Sequence, residues 1–239
     1  MGPKALSILV LVATLTFVLS PLASTGFNGF SYDQFPVLQI DPPVQPAGYA
    51  FSIWGVIYLW LVVSAVFGLL RAANDPDWDT MRPALAISLI TGTFWIAAAN
   101  VAPVLATGMI VVMAAAAITA MLRAGSGKPW LLARPIALYA GWLTAATGVA
   151  IGVVVGGYGI VPVQTAAILC LIGVLIVALT VQAARPREWA YPVAVIWALI
   201  GVAVTNLTSP NWPVIALCVF GITVLIVRAV QSAKKGTNP

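Results

Sequence analysis

The 239-residue sequence contains no histidine, only two cysteines and few charged residues. Without histidine, the chain lacks the commonest metal ligand, the commonest general base and the commonest axial ligand of haem. Charged residues make up 7% of the chain and hydrophobic residues 62%, whereas soluble domains are about one quarter charged. The composition therefore predicts an integral membrane protein, and we expect no enzymatic activity.

Carboxylates are also missing from the apolar runs. All six acidic residues lie between the runs, at Asp33, Asp41, Asp75, Asp77, Asp79 and Glu188. Ion-coupled carriers usually keep an ionisable group within the membrane, so this distribution argues against a coupled transporter. Cys170 and Cys218 fall inside apolar runs, where cysteine behaves as a small hydrophobic residue. The sequence Asn206-Leu207-Thr208 matches the glycosylation motif, but it ends an apolar run too close to the membrane for us to assign it a role.

Eight apolar runs are long enough to cross a bilayer as helices, since about 20 residues span its hydrocarbon layer. They fall near residues 5–24, 49–70, 84–101, 104–122, 136–156, 163–183, 190–207 and 212–230. Continuous apolar runs favour helices over the alternating strands of a barrel. We therefore predict an all-α integral membrane protein, a bundle of about eight transmembrane helices. The first run also resembles a signal peptide, but we expect it to be retained because an even helix count suits the charge pattern.

All eleven basic residues lie on one side of this predicted topology. They are Lys4, Arg71, Arg82, Arg123, Lys128, Arg134, Arg185, Arg187, Arg228, Lys234 and Lys235. Because basic residues near short loops stay in the cytoplasm, we predict cytoplasmic termini, in a bacterial plasma membrane. The basic residues are scattered over five short segments, so the net charge of +5 does not indicate nucleic-acid binding.

The second run opens with an aromatic ladder below a proline-rich loop. Trp54 and Tyr58 are four residues apart and share a helix face, and Phe51 lies one turn nearer the loop. Such a ladder can stack on a flat, apolar ligand. The loop residues expected to cover the pocket are Pro42, Pro43, Pro46 and Tyr49.

The fifth run carries small residues and a second aromatic pair. Gly148, Gly152 and Gly156 recur at four-residue spacing, a pattern that lets helices pack closely. Tyr139 and Trp142 are three residues apart and so lie on one face, which makes them candidates for a second pocket wall. Each tryptophan within a run has an alternative role in lipid contact or helix packing.

These residues resemble the TspO/MBR family of tryptophan-rich sensory proteins, related to the translocator protein. The Pro42-Pro43 pair, Phe51, and the Trp54 to Tyr58 spacing occupy the family's positions, although Phe51 is one residue closer to Trp54 than usual. Trp95 corresponds to the family's third-helix tryptophan, and Tyr139 with Trp142 to its fifth-helix pair. The resemblance implies a TspO-like five-helix core over residues 1–156 and a three-helix extension over 157–239.

The resemblance also implies a pocket for tetrapyrroles, sterols or similar flat ligands beneath the first loop. Our leading hypothesis is a non-enzymatic membrane protein that binds such a ligand and either senses or transports it. The expected ligand-binding residues are Phe51, Trp54, Tyr58, Trp95, Tyr139 and Trp142. No cofactor or metal is required, and a porphyrin or haem is the expected kind of ligand. The expected partners are the bilayer and this ligand, with a homodimer or a larger membrane complex left open. The alternatives are a structural or assembly subunit and an uncoupled transporter.

Overall fold

A computed structural model describes residues 1–23 and 29–235, and these residues form helices and no strand. Within this part of the chain, eight helices are long and apolar enough to cross a membrane, which confirms the predicted all-α bundle. The helices are α1 Pro3–Leu19, α2 Ile53–Arg71, α3 Pro76–Asp79, α4 Arg82–Val101, α5 Pro103–Arg123, α6 Ala133–Gly157, α7 Val163–Ala184, α8 Ala190–Thr208 and α9 Trp212–Lys235. Single 3₁₀ segments follow α1 at Ser20–Ala23 and lead into α2 at Gly48–Ser52.

Prolines set several helix starts. Pro3, Pro76 and Pro103 each begin a helix, where proline's fixed φ suits the first turn and its missing N–H is not needed. Only Ala102 separates α4 from α5, and its φ of −143° breaks the helix. These two helices therefore form a tight antiparallel hairpin.

Five helices form a closed ring in the order α1, α4, α5, α6, α2, and each contacts the next. Helices α7 and α8 pack against α6 from outside the ring, and α9 packs against α7 and α8. The ring comprises the five spans within residues 1–156, and α6 is shared between it and the C-terminal helices. The division into a core and an extension stays a prediction, and residues 24–28 and 236–239 of these ranges lie outside the described part.

The glycine edge of α6 faces α7 and the first long loop. A methyl group on Gly148 would collide with Val174 of α7. A methyl group on Gly152 would lie 3.1 Å from Cγ1 of Val44, a loop residue, and Gly156 also faces α7. These positions therefore allow both the neighbouring helix and the loop to approach the α6 backbone closely.

At the basic end of the bundle, the end at which the lysines and arginines lie, Arg82 joins four helices. Its guanidinium is 1% exposed and donates to the carbonyls of Ala72 at 2.6 Å and Ala73 at 2.8 Å, and it pairs with Asp79. A longer contact of 3.4 Å reaches the carbonyl of Pro3. Because the last carbonyls of a helix lack partners within the helix, Arg82 completes the end of α2 and fixes this end of the ring.

A second cluster at the basic end surrounds Arg134. Its guanidinium carbon lies 4.1 Å from the ring centre of Trp130 and 5.5 Å from that of Trp189. The Arg134 Nε atom lies 3.9 Å from a carboxylate oxygen of Glu188. Burial raises the pKa of Glu188 above its ordinary value, and the nearby Arg134 and Arg185 lower it in part. This carboxyl is therefore easier to protonate than one in water.

Candidate ligand-binding cavity

An aromatic cluster lies inside the ring of five helices, at the end opposite the basic residues. Trp54 and Tyr58 stack with ring centres 5.1 Å apart, as their four-residue spacing predicts. Phe17 of α1 meets the edges of both rings, at 5.9 Å and 5.3 Å. From the other side, Trp142 of α6 lies 6.1 Å from Trp54 and 5.9 Å from Phe51, in edge-to-face geometry. Aromatic residues far apart in the sequence thus form one continuous surface.

Two cavities border this cluster. The larger, of about 160 Å³, which we call the helical cavity, is lined by Phe17, Pro21, Phe51, Trp54, Tyr58, Trp95 and Ile96. The smaller, of about 40 Å³, which we call the roof cavity, is lined by Gly29, Phe30, Gln45, Pro46, Phe51, Trp54, Trp95, Ile110, Trp142, Ala145, Ala146, Val149, Ala150 and Ala198. Phe51, Trp54 and Trp95 line both cavities. These three aromatic side chains therefore lie between the two spaces.

Tyr139 is the one predicted ligand-binding residue that lines neither cavity. It is fully buried behind Trp54, with ring centres 6.3 Å apart. The Tyr139 hydroxyl lies 2.9 Å from Oγ of Ser88. The Ser88 hydroxyl in turn donates to the carbonyl of Met113 at 2.8 Å. Tyr139 thus supports the cavity wall from behind, whereas the other five predicted residues face the cavities. Their role in binding stays a prediction.

Two tryptophans of the wall differ in their indole N–H groups. Trp95 donates to the carbonyl of Ala106 at 2.9 Å. Trp142 is 2% exposed, and its buried Nε1 has no acceptor among residues 1–23 and 29–235. A buried donor without a partner costs about 1–3 kcal/mol. One tryptophan of the roof-cavity wall therefore carries a buried indole N–H without an acceptor in the described part of the chain.

The predicted loop residues lie over the cavities in different ways. Pro46 lines the roof cavity, and Pro42 lines an open space outside it. The carbonyl of Pro43 accepts a hydrogen bond from α8. Tyr49 packs edge-to-face on Trp197 of α8, with ring centres 5.6 Å apart. The loop is therefore a roof over the aromatic cluster, and it is held by a helix outside the ring.

The open space outside the roof, which we call the vestibule, measures about 490 Å³. Its walls include Gly29, Phe30 and Gln45, which also line the roof cavity. Gly29 has a φ of +117°, and a methyl group there would lie 2.7 Å from Nε2 of Gln45. Asp41 and Tyr32 make the vestibule more polar than the two inner cavities. Gly29, Phe30 and Gln45 therefore lie between the vestibule and the roof cavity.

Sequence reasoning missed several wall residues. Phe17 is the single aromatic residue of α1, and that isolation in an aliphatic helix is the one signal that pointed to it. Ala198 brings α8 into the wall of the roof cavity, and no sequence feature marks it. Asn206 is 5% exposed and hydrogen-bonded to the loop, a structural contact that no sequence feature predicted.

The chemistry of the site is that of an apolar binding surface. In the described part of the chain, no group of three His, Cys, Asp or Glu side chains is placed to bind a metal ion. The walls of the helical and roof cavities are mainly aromatic and aliphatic. Such walls can stack on flat rings and exclude water.

Comparison with known families gives one match. The model of a family described as TSPO-like protein matches residues 6–231 of the chain. The match begins within α1 and ends within α9, so it includes all or most of every span. No curated protein and no solved structure matches the chain.

Proposed function

The chain belongs to the TSPO-like family, and from this we propose that it binds a flat, apolar ligand such as a porphyrin or a sterol, without catalysing a reaction. The match confirms the resemblance read from the aromatic and proline positions. The observation that carries the proposal is that Phe51, Trp54 and Trp95 line both cavities at once. A flat molecule in either cavity would therefore contact the same three aromatic rings.

The chemistry of the wall favours a ligand with two features. A flat apolar body would stack on Trp54 and Trp142, and one aromatic contact contributes about 0.5–1.5 kcal/mol beyond the buried area. An acceptor atom at the edge of that body would satisfy the N–H of Trp142. Since the chain has no histidine, a porphyrin would be held mainly by stacking, and no cofactor is required.

The sizes of the spaces limit how such a ligand can fit. Pockets for small molecules usually measure about 300–1,000 Å³, and the helical cavity and the roof cavity, at about 160 Å³ and 40 Å³, are both smaller. The vestibule, at about 490 Å³, lies within the range. A porphyrin would therefore extend from the aromatic wall into the vestibule, and the loop between them would have to move.

The charge pattern favours a site that opens away from the cytoplasm. The basic residues lie at the opposite end of the bundle from the cavities, and basic ends stay cytoplasmic. The test uses Gln45→Cys and Ser126→Cys, each in a chain whose Cys170 and Cys218 are replaced by alanine. A membrane-impermeant maleimide applied to intact cells should label residue 45 and leave residue 126 unlabelled. The reverse pattern would contradict the orientation.

Titration with protoporphyrin IX tests binding at this site. The purified protein in detergent should bind it, and Trp54→Ala combined with Trp142→Ala should weaken the affinity at least tenfold, because two stacking surfaces are lost. The matched control is Trp212→Ala, which removes a tryptophan that is 67% exposed at the start of α9. A cholesterol analogue serves as a second ligand. Equal affinities for the double variant and the unaltered protein would refute this site.

A further inference from the structure

Helix α8 makes two side-chain hydrogen bonds to the backbone of the roof loop. The Nδ2 atom of Asn206 donates to the carbonyl of Pro43 at 2.8 Å. The Nε1 atom of Trp197 donates to the carbonyl of Ala50 at 2.8 Å, and its ring packs on that of Tyr49. The roof loop is the segment 42–50, so these bonds hold it near both of its ends: Pro43 lies at its start, and Ala50 belongs to the 3₁₀ segment that leads into α2.

A notch in α8 lies between these two bonds. The carbonyl of Gly201 accepts from the backbone N–H of Ala47 at 3.0 Å. A methyl group on Gly201 would lie 2.9 Å from the Cβ atoms of both Ala50 and Pro46, which is too close for carbon atoms in contact. Trp197 and Gly201 are four residues apart and share one face of α8. That face is therefore shaped to receive the loop backbone.

The held segment places the cavity walls. Pro46 lines the roof cavity, and Phe51, which follows Ala50 directly, lines both inner cavities. On its other side the loop contacts α6, where Val44 fits against Gly152. Movement of the loop away from α8 would therefore shift the residues that separate the vestibule from the aromatic wall.

We propose that Trp197, Gly201 and Asn206 are positioning residues of the ligand site: they hold the roof loop and so set how readily a ligand passes from the vestibule to the aromatic wall. This rests on the proposed binding function and assigns a role to the helices beyond the ring. None of the three residues lines the helical cavity or the roof cavity. Their effect on binding is exerted through the loop.

A labelling experiment without ligand measures directly how often the roof loop opens away from α8. Val44 is 2% exposed, so Val44→Cys, in a chain with alanine at positions 170 and 218, reacts with a maleimide only when the loop opens. Trp197→Phe and Gly201→Ala should each raise the labelling rate about fivefold or more, because each weakens a contact that holds the closed loop.

Two matched controls separate this effect from a general loss of stability. Trp60→Phe removes the same kind of bond, from Nε1 of Trp60 to the carbonyl of Trp130 at 2.7 Å, at the basic end. Gly173→Ala adds a methyl group to α7 where no atom lies within 4 Å. Both controls should leave the labelling of Val44→Cys unchanged.

The ligand measurement completes the test. Trp197→Phe should raise the dissociation rate of protoporphyrin IX by a similar factor, with its absorption spectrum in the complex unchanged. Labelling rates equal to those of the controls would overturn the inference, and so would faster labelling with unchanged protoporphyrin kinetics. If the unaltered protein binds no protoporphyrin, the proposed function fails, and the labelling rates alone still decide whether α8 holds the loop.

Discussion

Replacing Trp142 by phenylalanine should cost the ligand-free protein less stability than the same change at Trp95. Both side chains are buried, at 2% and 6% exposure, and both line the roof cavity. Each substitution removes the same atoms from the same wall, so the loss of packing is similar. The two N–H groups differ, because that of Trp95 has a carbonyl partner and that of Trp142 has none among the described residues.

The size of the difference follows from the two hydrogen-bond terms. Trp95→Phe loses a bond of 2.9 Å, which is worth about 1 kcal/mol net. Trp142→Phe removes a buried donor without a partner and so recovers about 1–3 kcal/mol. We therefore expect Trp142→Phe to be the more stable variant by at least about 2 kcal/mol, or roughly thirtyfold in the unfolding equilibrium.

The assay is reversible unfolding of both variants in mixed detergent micelles, with the free energy taken from the linear dependence on denaturing detergent. A second arm adds protoporphyrin IX, which should stabilise Trp142→Phe less than the unaltered protein, because the donor to the ligand is gone. If Trp142→Phe unfolds as easily as Trp95→Phe or more easily, its N–H has a partner. The assignment of an open donor to the cavity wall would then be wrong.

Three further changes have outcomes fixed by single contacts. Arg82→Ala should lower the free energy of unfolding by about 3–5 kcal/mol, since it leaves buried partners of the guanidinium unpaired, whereas the exposed Arg71→Ala should change it little. Glu188→Gln should stabilise the protein at neutral pH, because the raised pKa of Glu188 means that the fold favours the protonated carboxyl. The protonated carboxyl contributes stability below about pH 4, and this contribution is lost as the pH rises through the raised pKa. Thermal unfolding at several pH values should therefore show the gain from Glu188→Gln vanish in acid, and a pH-independent gain would contradict this. Tyr139→Phe should cost about 1 kcal/mol, because Ser88 then still donates to the carbonyl of Met113. Ser88→Ala should cost more, because it leaves the Tyr139 hydroxyl unpaired. Equal losses in chemical unfolding would argue against this ranking.

Local patterns were enough to predict the helices and one wall of the cavity. A span is a property of about 20 consecutive residues, and a shared face is a property of three- and four-residue spacing, so both could be read without knowing the packing. Trp54 and Tyr58 stack as that spacing requires. The small helix α3 lies between spans and had no apolar run to mark it.

The rest of the site depends on contacts between distant segments. Tyr139 shares a helix face with Trp142, but the bond to Ser88 of α4 places it behind the wall, and no local spacing encodes that partner. Phe17 and Ala198 reach the cavities only because α1 closes the ring and α8 lies beside the roof. Such positions require knowledge of which helices are neighbours, and the composition of an apolar helix says little about that.

The contact between the roof loop and α8 also fixes an order of assembly. The ring is complete in sequence once α6 ends at Gly157, but the partners of the loop at Trp197, Gly201 and Asn206 come about 40–50 residues later. At roughly 5–20 residues per second, the ribosome needs several seconds to add the α8 residues that bind the roof loop. If α8 holds the loop as proposed, the site of the growing chain would stay open to a ligand or lipid until these residues are in place.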